Sequence, residues 1–574
     1  MKIKKRLIRF SISLLLFTIL LSGCAKPTPS TSADESFTSF TNDLFRADVA
    51  STTLGLHYTL QNPESYDVKT GPITFGTFET DKTATLASLE NLEVSLQSFS
   101  YDTLSRKNQL TYDILDSYIQ TAKEGIPFVF YEEPLNSVTG IQAQLPVLLA
   151  EYDFSCKEDV KIYLKLLSTL PDYFNSLIQF EKKKAEQGLF MASYNVDSIL
   201  EQCEAFLSMG ENNYLLSTFE DRIASLNGLS DSDCQSFVAR NKELLSSAVT
   251  PAYESLIVAL RSLRTKGNND QGLCYLPNGK AYYSFLVSRN TGSSRSVPEL
   301  ETLIQSQMAD DLLSMQTLVA KNPSMTNQEP VSFSSSPEKI LDSLKTQISS
   351  AFPDPAPVKT EIKYVPQALE DYLSPAFYLI PAIDNAQENV IYINQGHSTS
   401  GINLFTTIAH EGYPGHLYQT TYFAATKPDP IRSILNFEGY TEGWATYAEM
   451  CSYSLSPLKK DAASILQKNS SLSLGLYAAA DIGIHYHGWS LEKTAEHFRK
   501  YGIKEQKTIR DIYELIIADP GNYLKYYIGY VEFLELKKKA IQKEGDSFSQ
   551  KTFHQKILEI GPAPFSILEK YVLP

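Results

Sequence analysis

Apolar residues recur at intervals of three and four from about residue 36 to residue 265. Leu89, Leu92 and Leu96 follow this spacing, and the segments 110–119 and 164–177 repeat it. The spacing places apolar side chains on one face of an α-helix, so it predicts helices that each bury one face in a core. No fixed period connects these segments, so the sequence does not predict a repeat protein.

The pattern changes between residues 360 and 394. Short runs of β-branched and aromatic residues at 360–365, 376–382 and 389–394 are typical of strands. Helical spacing returns from residue 403 to the end of the chain. The sequence therefore predicts a mainly α protein with a small β element directly before a segment that contains two histidines.

The first 23 residues are organised as an export signal. Five basic residues precede the apolar run 10-FSISLLLFTILL-21, which is too short to span a bilayer readily. The LSGC sequence that ends at Cys24 resembles a bacterial lipobox, which implies cleavage before Cys24 and lipid attachment to its thiol. Segment 24–38 is predicted to be a flexible tether. We expect an extracytoplasmic protein anchored to the bacterial cell membrane, with plain secretion or an uncleaved anchor as alternatives.

The rest of the chain is divided into an N-terminal helical region at 39–270 and a catalytic region at 271–574. Removal of residues 1–23 takes away five positive charges and leaves 46 basic and 66 acidic residues, a net charge of −20. Such acidity disfavours binding to nucleic acid and charge-driven adhesion to anionic lipid. The five cysteines after Cys24 show no metal-binding spacing, and their odd number leaves at least one thiol unpaired within the chain.

The segment 409-AHEGYPGHLYQ-419 contains the candidate chemistry. A His-Glu pair followed by a second histidine on one helix commonly supplies zinc with two ligands and a general base. Here Pro414 occupies the expected position and His416 comes two residues late. Because proline lacks an N–H, the preceding helix should end or kink there. Gly415 tolerates unusual backbone angles, so the bend is predicted to return His416 to the side of His410.

A third ligand is expected from the acidic segment 438-EGYTEGWATYAEM-450. Helical periodicity places Glu438, Glu442 and Glu449 near one face of a helix. A solvated acidic face is the alternative explanation. Next to a His-Glu pair, however, the stripe of carboxylates favours a metal site, because catalytic zinc takes three protein ligands and leaves one position open.

A second acid–histidine combination follows in 481-DIGIHYHGWS-490. Asp481 and His485 are four residues apart, so on a helix the carboxylate is able to hydrogen-bond the imidazole and fix its tautomer. His485 is then a candidate for stabilising charge that develops during a reaction. His487 points elsewhere on such a helix and is interpreted as a surface residue or a supporting one.

These motifs together resemble the bacterial family called domain of unknown function 885. The matching segments are LSRKNQLTYDIL (104–115), LPNGKAYY (276–283), HEGYPGH (410–416), EGWATYAE (442–449), DIGIHYHGW (481–489), PGNYLKYYIG (520–529) and FHQKILEIGPAPFSIL (553–568). The resemblance covers nearly all of the mature chain. It implies a branch of the gluzincin-type metallopeptidases, with a large, mainly α fold, a deep groove and one zinc ion held by two histidines and a glutamate.

The resemblance also implies roles for individual residues. The implied metal ligands are His410, His416 and Glu442, the implied catalytic residues are Glu411, His485 and Tyr526, and the implied supporting acids are Asp481 and Glu449. Glu411 would be the general base, and His485 and Tyr526 would donate to a developing oxyanion.

Two positions depart from the family's pattern. Leu417 stands where a second histidine is expected, and Tyr527 stands where a basic residue is expected. Either position is able to affect contacts with substrate, so substrate preference does not transfer to this chain. His554 matches the pattern, and no role follows for it from the sequence.

The sequence thus predicts zinc-dependent hydrolysis of peptide or amide bonds, in short peptides. Two alternatives stay open: a lipoprotein that binds peptides without catalysis, and a degenerate enzyme whose metal site is structural. A serine or cysteine hydrolase is disfavoured, because the chain has no GxSxG segment and no cysteine in an activating setting.

Overall fold

The structure is a computed structural model of the chain. It describes residues 32–267, 269–323, 336–365, 367, 370, 373–397 and 400–573. The predicted signal peptide, Cys24 and residues 24–31 of the predicted tether lie outside the described residues. Among the residues that the structure describes, no helix has both the length and the apolar character that a bilayer span requires.

The end of the predicted tether belongs to the first helix. Ser32 accepts a hydrogen bond from the backbone N–H of Glu35, and the Glu35 side chain accepts one from the backbone of Ser32. This reciprocal cap satisfies two main-chain donors and begins the helix. Residues 33–38 are therefore helical, whereas their composition predicted a flexible segment.

Fourteen α-helices precede the sheet in the described residues. They are α1 (Ala33–Val49), α2 (Thr53–Thr59), α3 (Lys82–Gln97), α4 (Arg106–Gly125), α5 (Ile141–Ala150), α6 (Lys157–Leu167), α7 (Leu170–Glu186), α8 (Ser193–Ser208), α9 (Tyr214–Ser225), α10 (Asp231–Leu244), α11 (Thr250–Leu263), α12 (Gly279–Thr291), α13 (Val297–Lys321) and α14 (Pro337–Gln347). The apolar stripes of this region face a core, as their spacing predicted: Leu89, Leu92 and Leu96 are all buried.

A three-stranded sheet follows in the order β1-β3-β2. Its strands are β1 (Lys359–Tyr364), β2 (Ala376–Leu379) and β3 (Glu388–Ile393). β1 is parallel to β3, and β2 is antiparallel to β3. The predicted β element is confirmed, with strand boundaries within a few residues of those expected. β2 lies at one edge of the sheet and packs beside α15, so one edge of the sheet faces the histidine motif.

Nine α-helices complete the described chain. They are α15 (Gly401–Glu411), α16 (His416–Ala425), α17 (Glu438–Ser452), α18 (Lys460–His485), α19 (Leu491–Lys500), α20 (Gln506–Ala518), α21 (Asn522–Glu544), α22 (Gln550–Ile560) and α23 (Phe565–Val572). The mainly helical class with a small sheet is confirmed. The five cysteines of the described chain are free thiols.

Two large apolar cores hold these elements, and neither follows the predicted division at residue 270. The larger core combines side chains from 37–119 with side chains from 283–572. The second core combines 54–263 with Val365, Leu373 and Phe377. The first helices of the chain thus pack into the same core as the helices that carry the candidate chemistry.

Within the larger core, α17 and α21 cross closely. A Cβ atom added to Gly443 of α17 would lie 2.5 Å from the main chain of Gly529 on α21. Contact at this distance is possible only because both residues lack a side chain. The crossing brings the first turn of α21 next to the first turn of α17.

Candidate metal centre

The helix that carries His410 ends earlier than predicted, and a tight turn follows. α15 ends at Glu411, three residues before Pro414, and α16 begins at His416. The backbone N–H of Gly415 donates to the carbonyl of Ala409 at 2.9 Å. A Cβ atom on Gly415 would lie 1.9 Å from the carbonyl oxygen of His410. Gly415 is therefore needed for this close approach, and its φ of −83° is not left-handed.

The turn places the two imidazoles of the motif side by side. The ring centroids of His410 and His416 are 5.0 Å apart, and the ring planes are inclined by 73°. Trp444 of α17 holds the turn in place, because its indole N–H donates to the carbonyl of Pro414 at 2.9 Å. All three side chains are buried. The bend expected from the Pro-Gly pair thus brings the late histidine next to the early one.

Helix α17 contributes a carboxylate to the same place. Oε2 of Glu442 lies 3.6 Å from Nε2 of His416 and 4.0 Å from Nε2 of His410. Ligand atoms of the three residues all lie within 4.8 Å of one another, and the three residues are buried. Two imidazole nitrogens and one carboxylate oxygen are thus gathered in a small, buried space.

This donor set fits a zinc ion. Two histidines and one glutamate form a common ligand set of catalytic zinc, and they leave a fourth position open. In a tetrahedral site with bonds of about 2.1 Å, two ligand atoms lie about 3.4 Å apart. The separations of 3.6 Å and 4.0 Å are only slightly longer. Small side-chain movements would therefore suffice to complete the coordination.

Glu449 lies behind the histidine pair, on the same helix as Glu442. Its Oε2 is 2.8 Å from Nδ1 of His410. A carboxylate on the far nitrogen of a metal-binding imidazole fixes the tautomer and makes the ligating nitrogen more basic. The acidic stripe predicted for this helix is therefore directed into the protein, and it is not a solvated face.

Glu411 lies next to the ligands and lines the adjoining cavity. It is 2% exposed, and its Oε2 accepts a hydrogen bond from the backbone N–H of Tyr378 at 3.1 Å. Tyr378 belongs to the edge strand β2, so the sheet orients the predicted general base. This contact could not be predicted from the sequence, because the donor is a main-chain group.

Asp481 and His485 do not form the predicted pair, and this part of the sequence interpretation is wrong. Nδ1 of His485 accepts from the backbone N–H of Leu273 at 3.1 Å, and its Nε2 donates to the carbonyl of Ile516 at 2.9 Å. Burial lowers the pKa of His485 to about 4, so the ring is neutral. Both ring nitrogens are bonded to main chain, which leaves no donor for an oxyanion.

Asp481 instead holds a turn between two helices. Its carboxylate accepts hydrogen bonds from Tyr283 Oη at 2.5 Å and from the backbone N–H of Gly521 at 3.0 Å. Burial raises the pKa of Asp481 to about 7. Together with the bond from His485 to Ile516, this contact fixes residues 516–521, where α20 ends and α21 begins.

The remaining motif residues lie around the site. Tyr526 is half-buried on α21, and the Nζ atom of Lys525 is 5.7 Å from its ring centroid. Tyr526 does not line the cavity among the described residues, so its role toward an oxyanion stays a prediction. Leu417 and Tyr527, the two departures from the family's pattern, are fully buried and do not line the cavity either.

His554 and His487 are also placed by the structure. Nε2 of His554 lies 2.9 Å from the hydroxyl of Tyr447, and Nδ1 lies 2.8 Å from the carbonyl of Ala351. His554 thus connects Tyr447 of α17 with Ala351, in the segment that follows α14. His487 pairs with Glu301 at an exposed position, in agreement with its interpretation as a surface residue.

A cavity of about 1040 Å³ adjoins the metal centre. Glu411, His416 and Glu442 lie on its wall, together with residues of β2 and of the N-terminal helices. A molecule in this cavity would therefore contact the candidate base and two of the three candidate ligands.

The cavity wall also carries two ion pairs that the sequence did not reveal. Nζ of Lys525 lies 3.1 Å from Oε2 of Glu438, and the Arg289 guanidinium lies 2.6 Å from Oε1 of Glu132. Lys525 belongs to the segment 520–529, one of the segments that resemble the family, and no role was predicted for this residue. Its carboxylate partner comes from the acidic stripe of α17.

Comparisons with known proteins agree with this fold. A family model described as "Bacterial protein of unknown function (DUF885)" matches residues 76–572. No curated protein matches the chain.

Two solved structures are similar over 94% of this chain. One is described as "the putative lipoprotein from Colwellia psychrerythraea", with a TM-score of 0.83, 19% identity and 98% of that chain covered. The other is described as "a putative lipoprotein of unknown function from Shewanella oneidensis", with a TM-score of 0.63, 16% identity and 100% of that chain covered. At these identities the similarity shows a shared fold.

Proposed function

Because the chain belongs to the bacterial family DUF885, whose description states no function, we propose a function from its site: zinc-dependent hydrolysis of peptide bonds in short peptides. The observation that carries the proposal is the convergence of His410, His416 and Glu442, whose ligand atoms lie within 4.8 Å of one another. The three come from separate elements, α15, α16 and α17, and a buried carboxylate between two imidazoles is favourable when a cation is shared among them.

The arrangement of the neighbouring groups supports catalysis over a purely structural metal. A structural zinc site is usually closed by four protein ligands, whereas this one has three candidate ligands among the described residues and opens toward a cavity. When bound, zinc at such a site acts as a Lewis acid toward a carbonyl oxygen and toward water. Glu411 lies on the wall of the same cavity, within reach of a molecule held there.

Glu411 would act as the general base and then as the general acid. Its carboxylate would accept a proton from the attacking water and deliver that proton to the departing amine, so no net proton is gained or lost. The hydrogen bond from the backbone of Tyr378 holds Oε2 of Glu411 in place. Glu449 would keep His410 in the tautomer that directs Nε2 toward the metal.

The substrate class follows from the shape of the cavity and the place of the site. The ligands are buried, so the site is open to a short, flexible chain more readily than to the surface of a folded protein. A lipid anchor on Cys24 and an extracytoplasmic location are part of the same proposal. Their support is the LSGC sequence and the description of two similar structures as lipoproteins.

The proposal is tested with the mature chain, a peptide library and the Glu411→Gln variant. We expect the wild-type protein to bind about one zinc per chain and to cleave peptides in a chelator-sensitive manner. Glu411→Gln should retain the zinc and lose turnover by about 10³-fold or more, because the amide does not accept the proton. Metal content is measured by elemental analysis and cleavage by mass spectrometry.

The control distinguishes the two alternative functions. Glu442→Gln should lose both zinc and turnover, because it removes a ligand charge. A lipoprotein that only binds peptides would show no cleavage in any of these proteins, with or without zinc. A structural metal site would give a protein that contains zinc, is destabilised by chelator and cleaves nothing.

A further inference from the structure

The cavity next to the metal centre has a strong excess of negative charge. Eight acidic side chains and three cationic ones line it. A bound zinc ion would offset only part of this excess. A ligand that fits the cavity electrostatically should therefore bring positive charge, since carboxylates buried together are costly without a partner.

The three cations on the wall already have partners. Lys525 pairs with Glu438, and Arg289 pairs with Glu132. The third, Arg432, donates to the main-chain carbonyls of residues 560 and 562. None of them is positioned as the principal receptor for an added anion. This argues against recognition of a carboxylate group on the substrate.

Asp519 differs from the acids in these pairs. Its side chain forms no hydrogen bond and no ion pair with the described residues, and it lines the cavity. Burial raises the pKa of Asp519 to about 6, and Lys525 and Glu438 act on it in opposite directions. The carboxylate thus lies beside an ion pair whose charges largely cancel, and it contributes the local excess of negative charge.

The position of Asp519 is fixed by His485 and Asp481, which were predicted to be a catalytic residue and the acid that supports it. Asp519 lies between Ile516, which His485 binds through its carbonyl, and Gly521, which Asp481 binds through its N–H. The turn that presents Asp519 to the cavity is therefore anchored on both sides. A rigidly held charge is suited to recognition, because little ordering is needed when a ligand binds.

Asp519 lines the same cavity as the candidate ligand Glu442. Glu438 also lines this cavity, and it lies one helical turn before Glu442 on α17. One turn of four residues corresponds to about 6 Å along the helix axis. An extended peptide advances about 3.3–3.6 Å per residue. A charged group bound between Asp519 and Glu438 would therefore be only one or two residues away from the bond at the metal.

We propose that Asp519, with Glu438 beside it, binds the free α-ammonium group of a short peptide, so that the site removes one or two residues from the amino end. The inference rests on the proposed peptide hydrolysis and names its substrate class. An ammonium group supplies three N–H donors and one positive charge, which complements the unpaired carboxylate.

The test compares one cleaved peptide in three forms: unmodified, N-acetylated and C-terminally amidated. We expect acetylation to lower kcat/KM by at least about 30-fold, as expected when one partner of a buried charge pair is removed. Amidation should change kcat/KM by less than about threefold, because no cation on the wall is available for the carboxylate. Binding of the same peptides to Glu411→Gln, followed by fluorescence anisotropy of a label near the carboxyl end, should show the same order.

Two variants locate the effect. Asp519→Asn should lower kcat/KM for the unmodified peptide by about 10–100-fold and leave kcat/KM for the acetylated peptide unchanged. Asp48→Asn is the matched control, since Asp48 also lines the cavity and burial also raises its pKa to about 6. Asp48→Asn should leave the ratio of kcat/KM for the unmodified peptide to kcat/KM for the acetylated peptide at the wild-type value. An equal fall of this ratio in both variants would overturn the assignment to Asp519.

The outcomes separate this inference from the function on which it rests. Equal cleavage of unmodified and acetylated peptides, or loss of cleavage on amidation, would overturn recognition of the amino end while leaving peptide hydrolysis intact. Absence of cleavage of every form by the zinc-loaded protein would contradict the hydrolysis itself. Preferential binding of the unmodified peptide to Glu411→Gln would then still support an ammonium site.

Discussion

The centre around His410 and the anchor around His485 look alike in sequence and differ in structure. Both histidines are buried, and each lies at the C-terminal end of a helix. Glu411 follows His410 directly, and Asp481 lies four residues before His485. His410 interacts with the side chains of Glu449 and Glu442. His485 interacts with the backbone of Leu273 and Ile516.

The hydrogen-bond partners of a buried histidine determine whether its ring is able to bind a metal. A ring with a carboxylate on Nδ1 keeps Nε2 directed at another acidic group, and a cation is stabilised between them. A ring that donates to one main-chain group and accepts from another has used both nitrogens. The first arrangement is suited to metal binding, whereas the second connects segments that are distant in sequence. Partner type, rather than burial or helical position, separates the two.

Replacing each histidine with alanine should cause the largest changes in zinc binding and in stability. His410→Ala should abolish stoichiometric zinc binding and with it the stabilisation by zinc, which is about 4 kcal/mol at zinc concentrations 1,000-fold above Kd. His485→Ala should keep the zinc-dependent increase in Tm. It should lower the free energy of unfolding by about 2–4 kcal/mol, because a buried N–H and a buried carbonyl lose their partner. Calorimetry with and without zinc measures both effects.

The distinction between a metal-binding His410 and a structural His485 would be wrong if the two variants had the same response to zinc. A zinc-dependent increase in Tm that survives in His410→Ala would remove this residue from the metal site. Loss of zinc in a folded His485→Ala protein would show that the anchor supports the ligands directly. Zinc content per folded chain, measured after gel filtration, distinguishes this result from simple misfolding.

The parts of the molecule that follow from local pattern were predictable. β-branched and aromatic runs indicated the three strands, and the 3.6-residue period placed Glu442 and Glu449 on one face of a helix. Pro414 indicated that the helix would end before His416. Each of these inferences depends on residues that are close together in sequence, where backbone geometry limits the possibilities.

The parts that depend on remote main-chain groups were not predictable. The partner of His485 at Leu273 is 212 residues away, and it is an N–H group that every non-proline residue carries. The same holds for Tyr378, whose N–H orients Glu411. Asp519 lies directly before the segment 520–529, and nothing in its neighbourhood indicates that it faces a cavity. Single sequences carry no signal for such contacts.

The next effect concerns the acid of the anchor and depends on pH. Burial raises the pKa of Asp481 from 3.8 to about 7. Since the folded protein holds this proton more tightly than the unfolded chain, the contribution of Asp481 to stability is present below about pH 4 and is lost as the pH rises to about 7. Relative to Asp481→Asn, the wild-type protein should lose on the order of 2–4 kcal/mol over this range.

Urea unfolding at several pH values measures this difference. Asp461→Asn is the control, because Asp461 lies in the exposed first turn of the same helix. Its difference from wild type should be nearly independent of pH. A constant difference for Asp481→Asn would show that the carboxyl is ionised in the folded protein throughout, in conflict with its buried position.

The smallest expected effect comes from changing a carboxylate to a carboxamide in the acid near each histidine. Glu449→Gln preserves size and a hydrogen-bond acceptor for Nδ1 of His410, and it removes the negative charge. Loss of that charge makes Nε2 a weaker ligand, so zinc affinity should fall by about 10–100-fold. Asp481→Asn should leave zinc affinity unchanged, because its carboxylate accepts hydrogen bonds from Tyr283 and Gly521 and both ring nitrogens of His485 bond to main-chain groups. Competition with a chromophoric chelator measures both affinities. Equal affinities for Glu449→Gln and wild type would mean that the 2.8 Å contact orients the ring without tuning the metal, and the distinction between the two acids would then be one of geometry alone.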